Sequence, residues 1–208
     1  MATITRLRLK IVSAIKKCID FFYRKICYFT RSHLTVTVAI ICHEQNIEGI
    51  KRIIERQTKK PDNTVLYYSN EYFGDAPSEW KIVKCPNLND WGHGKCKQAI
   101  EEATSDFICF FNADSHYEDN YLSEMMKRAR EGFGVVLCDF RHRPDSSIIV
   151  AHPIVGGTDR GNVLVCVKEA RRVGYNHSIY EADGLFVQDM VKGRASWIRV
   201  KKCLYINN

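Results

Sequence analysis

A chain of 208 residues is long enough for one well-buried domain and short for two. An apolar content of 45% and a charged content of 26% are those of an ordinary globular protein and exclude a disordered or membrane-spanning one. The net charge of +7 hints at a nucleic-acid grip only until it is located: residues 1–34 hold eight bases (Arg6, Arg8, Lys10, Lys16, Lys17, Arg24, Lys25 and Arg31) against one acid, Asp20, and the rest of the chain balances. A neutral body behind a basic leader excludes nucleic acid as the main partner and points to a local attachment device.

The first predicted element is that leader, residues 1–34. Ile11, Ile15, Ile19, Phe22, Ile26 and Phe29 recur at steps of three and four, one stripe down a helix, with Lys16, Lys17, Asp20, Arg24 and Lys25 largely off it. Five charges exclude a comfortable membrane span, and the apolar run is too short for a signal peptide. Two readings remain: a helix lying on an anionic membrane surface, or one packing its stripe on the domain or a partner subunit. Either leaves the chain cytoplasmic, the first as a peripheral membrane protein.

The body, residues 35–208, reads as alternating strands and helices. Strands are expected at 35–42, 65–68, 81–83, 107–111, 135–140, 163–167 and 197–200, and helices at 46–56, 95–103, 121–130 and 182–191. That order predicts a Rossmann-like α/β fold, a mostly parallel sheet covered by helices on both faces. The apolar run Phe107 to Phe111 ends at Asn112-Ala113-Asp114, so a carboxylate is delivered where open α/β sheets bind ligands. The same residues also suit an ordinary strand-to-helix turn.

Nine cysteines, odd in number, without a C-x-x-C pair and mostly inside apolar runs, read as buried thiols rather than zinc ligands or disulfides. The sequon Asn176-His177-Ser178 has chemical meaning only in a secretory compartment.

Taken in order, the phrases VAIICHEQN, Gln57-Thr58-Lys59-Lys60-Pro61, VLYYSNE, NDWGHGKCKQAIEEATSDFI and FFNADSHYEDNYL, and an acid ten residues before a glycine, Asp183 before Gly193, resemble a family-2 glycosyltransferase with the GT-A fold. The resemblance covers about residues 36 to 205, and the compact body is similar to small transferases of viruses and phages. It implies inverting transfer of a sugar from a nucleotide-diphosphate donor, a UDP sugar in the first instance, to a glycan, lipid or protein acceptor.

The resemblance also implies roles. Asp114 matches the carboxylate that holds Mn²⁺ or Mg²⁺ in the D-x-D phrase, and such ions prefer oxygen ligands. Asn112 replaces the first acid, so weaker metal binding or more reliance on basic side chains follows. Ser69 or Asn70 stands where relatives place the acid that contacts the nucleobase. Lys95 and Lys97 keep positive charge near the diphosphate, or else form a solvated helix face. His43 and Arg160 count with the donor-binding residues, and Arg160 faces the diphosphate or the acceptor. Asp183 resembles the general base, with Glu181 beside it as the other candidate. His152 either completes a metal shell or is structural, and Trp91 either stacks on a sugar or base or sits in the core.

Two competing functions stay open. One is a sugar-nucleotide-binding scaffold on the same fold that has lost turnover, motivated by Asn112. The other is a nucleotidyltransferase, which would show a Gly-rich phosphate loop that ICHEQNIEG lacks.

Overall fold

The computed structural model describes residue 19, residues 33–72 and residues 74–207. The predicted leader, 1–34, and its membrane or packing role lie almost wholly outside the described residues. Among the described residues no helix is long and apolar enough to cross a membrane.

Two strands buried along their whole length form the centre, β1 (Val36–Cys42) and β4 (Phe107–Asn112). Their unbroken apolar runs are what a strand covered on both faces requires. They pair in parallel, Ile41 opposite Asn112. On the far side of β1 lie β2 (Asn63–Tyr68) and β3 (Lys81–Lys84), both parallel to their neighbours. Beyond β4 come β7 (Val163–Cys166), β6 (Val135–Arg141), β8 (Trp197–Ile206) and the two-residue β5 (His116–Tyr117), giving one sheet of order β3-β2-β1-β4-β7-β6-β8-β5. Four pairings are parallel (β1 with β2 and β4, β2 with β3, β6 with β8) and three antiparallel (β4 with β7, β6 with β7, β5 with β8).

The period-2 alternation of β1 feeds two cores. Val36, Val38 and Ile40 pack with α1 (Glu48–Arg56) through Ile50, Ile53 and Ile54, and with α3 (Tyr121–Arg130) through Leu122, Met125 and Met126. Ala39 and Ile41 face α2 (His93–Glu102), α4 (Val167–Val173) and α5 (Ala182–Lys192), where Ala99, Ile100, Ala170, Phe186 and Met190 are buried. The α/β expectation therefore holds.

Helix α1 begins two residues later than expected and β2 two residues earlier, α4 and the short β5 were not expected, and three further departures bear on the site. Val167 opens helix α4 instead of closing a strand, because its N–H bonds the Asp106 carbonyl and the chain turns at Cys166. Helix α2 begins two residues earlier, where Asp90 receives the Gly92 and Gly94 N–H groups (3.1 and 2.6 Å). Strand β8 runs six residues beyond Val200, with a register shift after Cys138 opposite Val200. Beside that shift Arg199 grips Asp139 with two nitrogens (2.6 and 2.7 Å), and Asp139 Oδ1 accepts the Ala151 N–H at 2.9 Å. The loop after β6 is thereby tied to the sheet on one side of the site described next.

Candidate active site

The site forms at the carboxyl ends of β1 and β4, the position at which open α/β sheets bind ligands. A three-residue 3₁₀ turn, Arg160–Asn162, delivers Arg160 there before the chain enters β7. Asp159 caps this turn: it accepts the Gly161 N–H at 2.9 Å, and the Asn162 amide oxygen takes the Asp159 N–H at 3.0 Å. Arg160 Nε donates to Asn112 Oδ1 at 2.6 Å, and Nη1 donates to the Trp91 carbonyl. Gly92, with φ +88°, closes the corner. A methyl group there would stand 2.8 Å from Ile41 Cγ2 and 2.9 Å from Arg160 Nη1, so only glycine lets the start of α2 approach β1 this closely.

Asn112 is 7% exposed and its amide is committed at both ends. Its Nδ2 donates to the Tyr205 hydroxyl (2.9 Å), which donates to Asp159 Oδ1 (2.9 Å). This chain of donors has one direction and ends on a carboxylate. A carboxylate at 112 would reverse its first link and make two acids compete for one hydroxyl proton, which accounts physically for an amide here.

The cleft has a volume of about 370 Å³, with Asp159, Arg160 and Asp183 converging on it and Trp91 and Tyr180 at its mouth. Asp183 sits in the first turn of α5 and accepts a hydrogen bond from the Tyr175 hydroxyl through Oδ1. The same hydroxyl lies 3.1 Å from Nδ1 of the buried His93. Glu181 is exposed at the α5 N-cap and also lines the cleft. Trp91 (φ +55°) and Tyr180 are exposed and meet edge to face, ring centres 6.0 Å apart. A bulky residue held at positive φ marks a place where the surroundings dictate the conformation.

Charge is unevenly balanced here. Burial pushes the Asp159 carboxyl up, and the nearby charge of Asp183 adds to it. Burial opposes the charge of Arg160, but the carboxylates of Asp183 and Asp159 around it favour that charge, and the guanidinium stays protonated. Beside Arg160, Lys95 Nζ lies 3.2 Å from His43 Nδ1. Burial lowers both groups, and Lys95 and Arg160 lower His43 further, so His43 is a neutral acceptor for the lysine.

Among the expected site residues, Asn112, Arg160 and Asp183 line one cleft, with His43 and Lys95 at its β1 end. Asp114 is exposed past the end of β4, where Ser115 Oγ reaches its Oδ1 at 3.5 Å, and its charge is felt at His43. Ser69 is buried at the end of β2 with a hydroxyl that makes no hydrogen bond. Asn70 is held between Glu44 (2.5 Å) and Asn87 (3.4 Å). Lys97 stands on the exposed side of α2, about 200° round from Lys95. His152 is exposed beside Trp197, ring centres 6.2 Å apart, and does not line the cleft, whereas His142 does. Asp159, His93, Tyr175, Tyr205 and His142 carried no signal used in the sequence reading. Only Asp159 offered one, as an acid three residues before an asparagine at a strand start.

Among the described residues, no three of His, Cys, Asp and Glu stand together as a self-sufficient metal cage. The exposed Asp114, with the buried Ser115 hydroxyl and the half-buried Asn207 amide oxygen 3.3 Å from that hydroxyl, offers hard oxygen donors. It fits Mg²⁺ or Mn²⁺ shared with substrate phosphates, the way such ions are commonly bound.

A curled α/β sheet with cations and carboxylates facing each other beyond β1 and β4 defines the class of GT-A nucleotide-sugar transferase folds. Residues 46–180 match glycosyl transferase family 2, and the chain belongs to that family. Among curated proteins, none matches the chain. Similar solved structures include S. aureus TarS, at 13% identity and TM-score 0.64, with 84% of this chain and 37% of TarS covered. The mannosyltransferase PcManGT of Pyrobaculum calidifontis, in complex with GDP-Man and Mn²⁺, has 14% identity and TM-score 0.64, covering 96% of this chain and 68% of that one. The glucosyl-3-phosphoglycerate synthase of Mycobacterium tuberculosis, in complex with Mn²⁺, UDP and glucosyl-3-phosphoglycerate, has 11% identity and TM-score 0.58, covering 88% and 75%. The chain spans 37% of the length of TarS and 60% of its 1–349 fragment.

Proposed function

We propose that the chain transfers a sugar from a nucleotide-diphosphate donor to an acceptor hydroxyl with inversion. The observation that carries this reading is that Arg160 and Asp183 share one cleft at the carboxyl ends of β1 and β4. Arg160, with Lys95 behind it and the N-terminus of α2 beside it, supplies positive charge for the diphosphate. Asp183 removes the proton of the acceptor hydroxyl as that oxygen attacks the anomeric carbon and the bond from that carbon to the diphosphate breaks. Asp114 would hold Mn²⁺ or Mg²⁺, which when bound neutralises charge on the departing diphosphate. A UDP sugar is the donor favoured first, since TarS has been crystallised with UDP and with UDP-GlcNAc.

The test is donor binding and hydrolysis over UDP and GDP sugars with Mn²⁺, Mg²⁺ or EDTA. Metal-dependent turnover is expected, with metal dependence lost in Asp114→Ala. Asn112→Asp is expected to lower turnover, because it reverses the Asn112 to Tyr205 link. Higher turnover in that variant, or activity indifferent to EDTA, would overturn the corresponding part of the reading. Binding without turnover toward any acceptor would favour the scaffold alternative, which Asn112 motivates.

The basic excess in residues 1–34 supports a peripheral contact with an anionic surface. Co-sedimentation of the full chain with phosphatidylserine vesicles, abolished by salt and absent with neutral vesicles, is the expected result. Equal partitioning to both would remove this part.

A further inference from the structure

We propose that Tyr175 and His93 are positioning residues for Asp183: a relay from His93 Nδ1–H to the Tyr175 hydroxyl to Asp183 Oδ1 that fixes which carboxylate oxygen faces the acceptor. The inference rests on the reading of Asp183 as the base.

The relay follows from counting protons. Tyr175 has one hydroxyl proton and directs it to Asp183 Oδ1. Its oxygen also lies 3.1 Å from His93 Nδ1, so that nitrogen must carry a proton and donate. The tautomer is thereby assigned, with Nε2 as the bare nitrogen. Nε2 is buried and meets no hydrogen-bond partner of good geometry. The charged groups that bear on the ring are Asp183, Arg160 and Asp90. Burial, the largest influence, outweighs Asp183, Asp90 and the Ile179 backbone, which favour a second proton, and keeps the ring neutral.

The three residues come from separate segments: the start of α2, the turn after α4 and the start of α5. His93 and Tyr175 are 3% and 4% exposed, their rings stack with centres 5.8 Å apart, and Tyr175 also packs on Phe186 at 4.7 Å. Neither ring can turn without disturbing the core. Both contacts to Asp183, from Tyr175 and from His93 at 3.8 Å, fall on Oδ1. Oδ2 is left for the acceptor hydroxyl, on a side chain 16% exposed at the cleft wall. In the reaction Oδ2 takes the acceptor's proton as the new carbon–oxygen bond forms. No proton travels along the relay, and Tyr175 keeps its own.

Two measurements test this. Two-bond ¹H–¹⁵N NMR of the full chain reads the His93 tautomer without any need for turnover. An Nδ1–H neutral ring is expected, and an Nε2–H ring would overturn the relay. The kinetic arm uses hydrolysis of UDP-glucose and UDP-GlcNAc with Mn²⁺. Tyr175→Phe and His93→Leu are expected to lower kcat about 10- to 100-fold, the worth of one hydrogen bond to a charged group. UDP affinity should stay within about twofold, since neither residue is assigned to donor binding. His93→Asn, which offers an amide N–H near the Nδ1 position, is expected to recover most of the loss. In an Asp183→Asn background Tyr175→Phe should cost little more. An equal loss in that background, or no recovery in His93→Asn, would refute the relay. If wild type hydrolyses neither donor, that counts against the base reading, and the tautomer alone decides the relay.

Discussion

Asp183→Asn is expected to lower the transfer rate about 10²- to 10⁴-fold, the usual contribution of a positioned general base. Asparagine keeps the shape of the side chain and an oxygen for the Tyr175 hydroxyl, so the start of α5 should fold unchanged. What it lacks is an oxygen able to take up a proton. Donor affinity should change little, because the phosphate-facing charge is assigned to Arg160 and Lys95. The control is Glu181→Gln. Glu181 is exposed at the helix N-cap, with no buried donor orienting it, so its loss should cost no more than about threefold, as for a group outside the transition state. Steady-state kinetics on both variants, with donor and acceptor varied separately, separate the two carboxylates. A large kcat loss in Glu181→Gln and a small one in Asp183→Asn would move the base by two residues.

The contrast between these two acids shows what could be read before the structure. That Asp183 lines the cleft fits its nomination from its distance to Gly193 within a family pattern, and the strands around the site were legible because VTVAIIC and FICFFN are largely apolar along both faces. The side chains hydrogen-bonded around them were not. His93 and Tyr175 are 82 residues apart and Asn112 and Tyr205 are 93 apart, and no local spacing announces that they touch. The same holds for the far half of β8, whose Lys201 and Lys202 disguise a strand that reaches the site through Tyr205 and, one residue past its end, Asn207. Lys95 and Lys97 looked equivalent in sequence. The helix turn separates them, one buried against His43 and the other facing solvent. Long-range pairing and helix phase, rather than composition, decided these outcomes.

Arg160→Met should weaken UDP binding by about 10²-fold, in the range for removing one partner of a close charge pair. Methionine keeps much of the apolar stem, so the loss reports the guanidinium. That group does three things at once: it donates to Asn112 Oδ1, donates to the Trp91 carbonyl, and sits among Asp159 and Asp183. Without it the two carboxylates face each other and an incoming diphosphate uncompensated, so affinity and stability fall together. The stability loss at neutral pH should be about 3 kcal/mol, the low end for losing two hydrogen bonds from a charged donor, to Asn112 and to the Trp91 carbonyl, because Arg160 is partly exposed. It carries a definite pH signature. Asp159 is already raised in the folded protein, by burial first and by Asp183 second, and losing the cation raises it further. A group raised on folding contributes stability that is present below its unfolded value and lost as pH rises through its folded value. The gap in Tm between wild type and Arg160→Met should therefore narrow as pH falls from about 7 toward 5. Arg160→Lys restores the charge without the fork, so it should recover stability more fully than affinity. UDP titration and thermal unfolding of the three proteins across that range check both parts. Unchanged UDP affinity in the methionine variant would take the diphosphate away from Arg160, and a Tm gap that widens toward acid would show that the carboxylates do not depend on it.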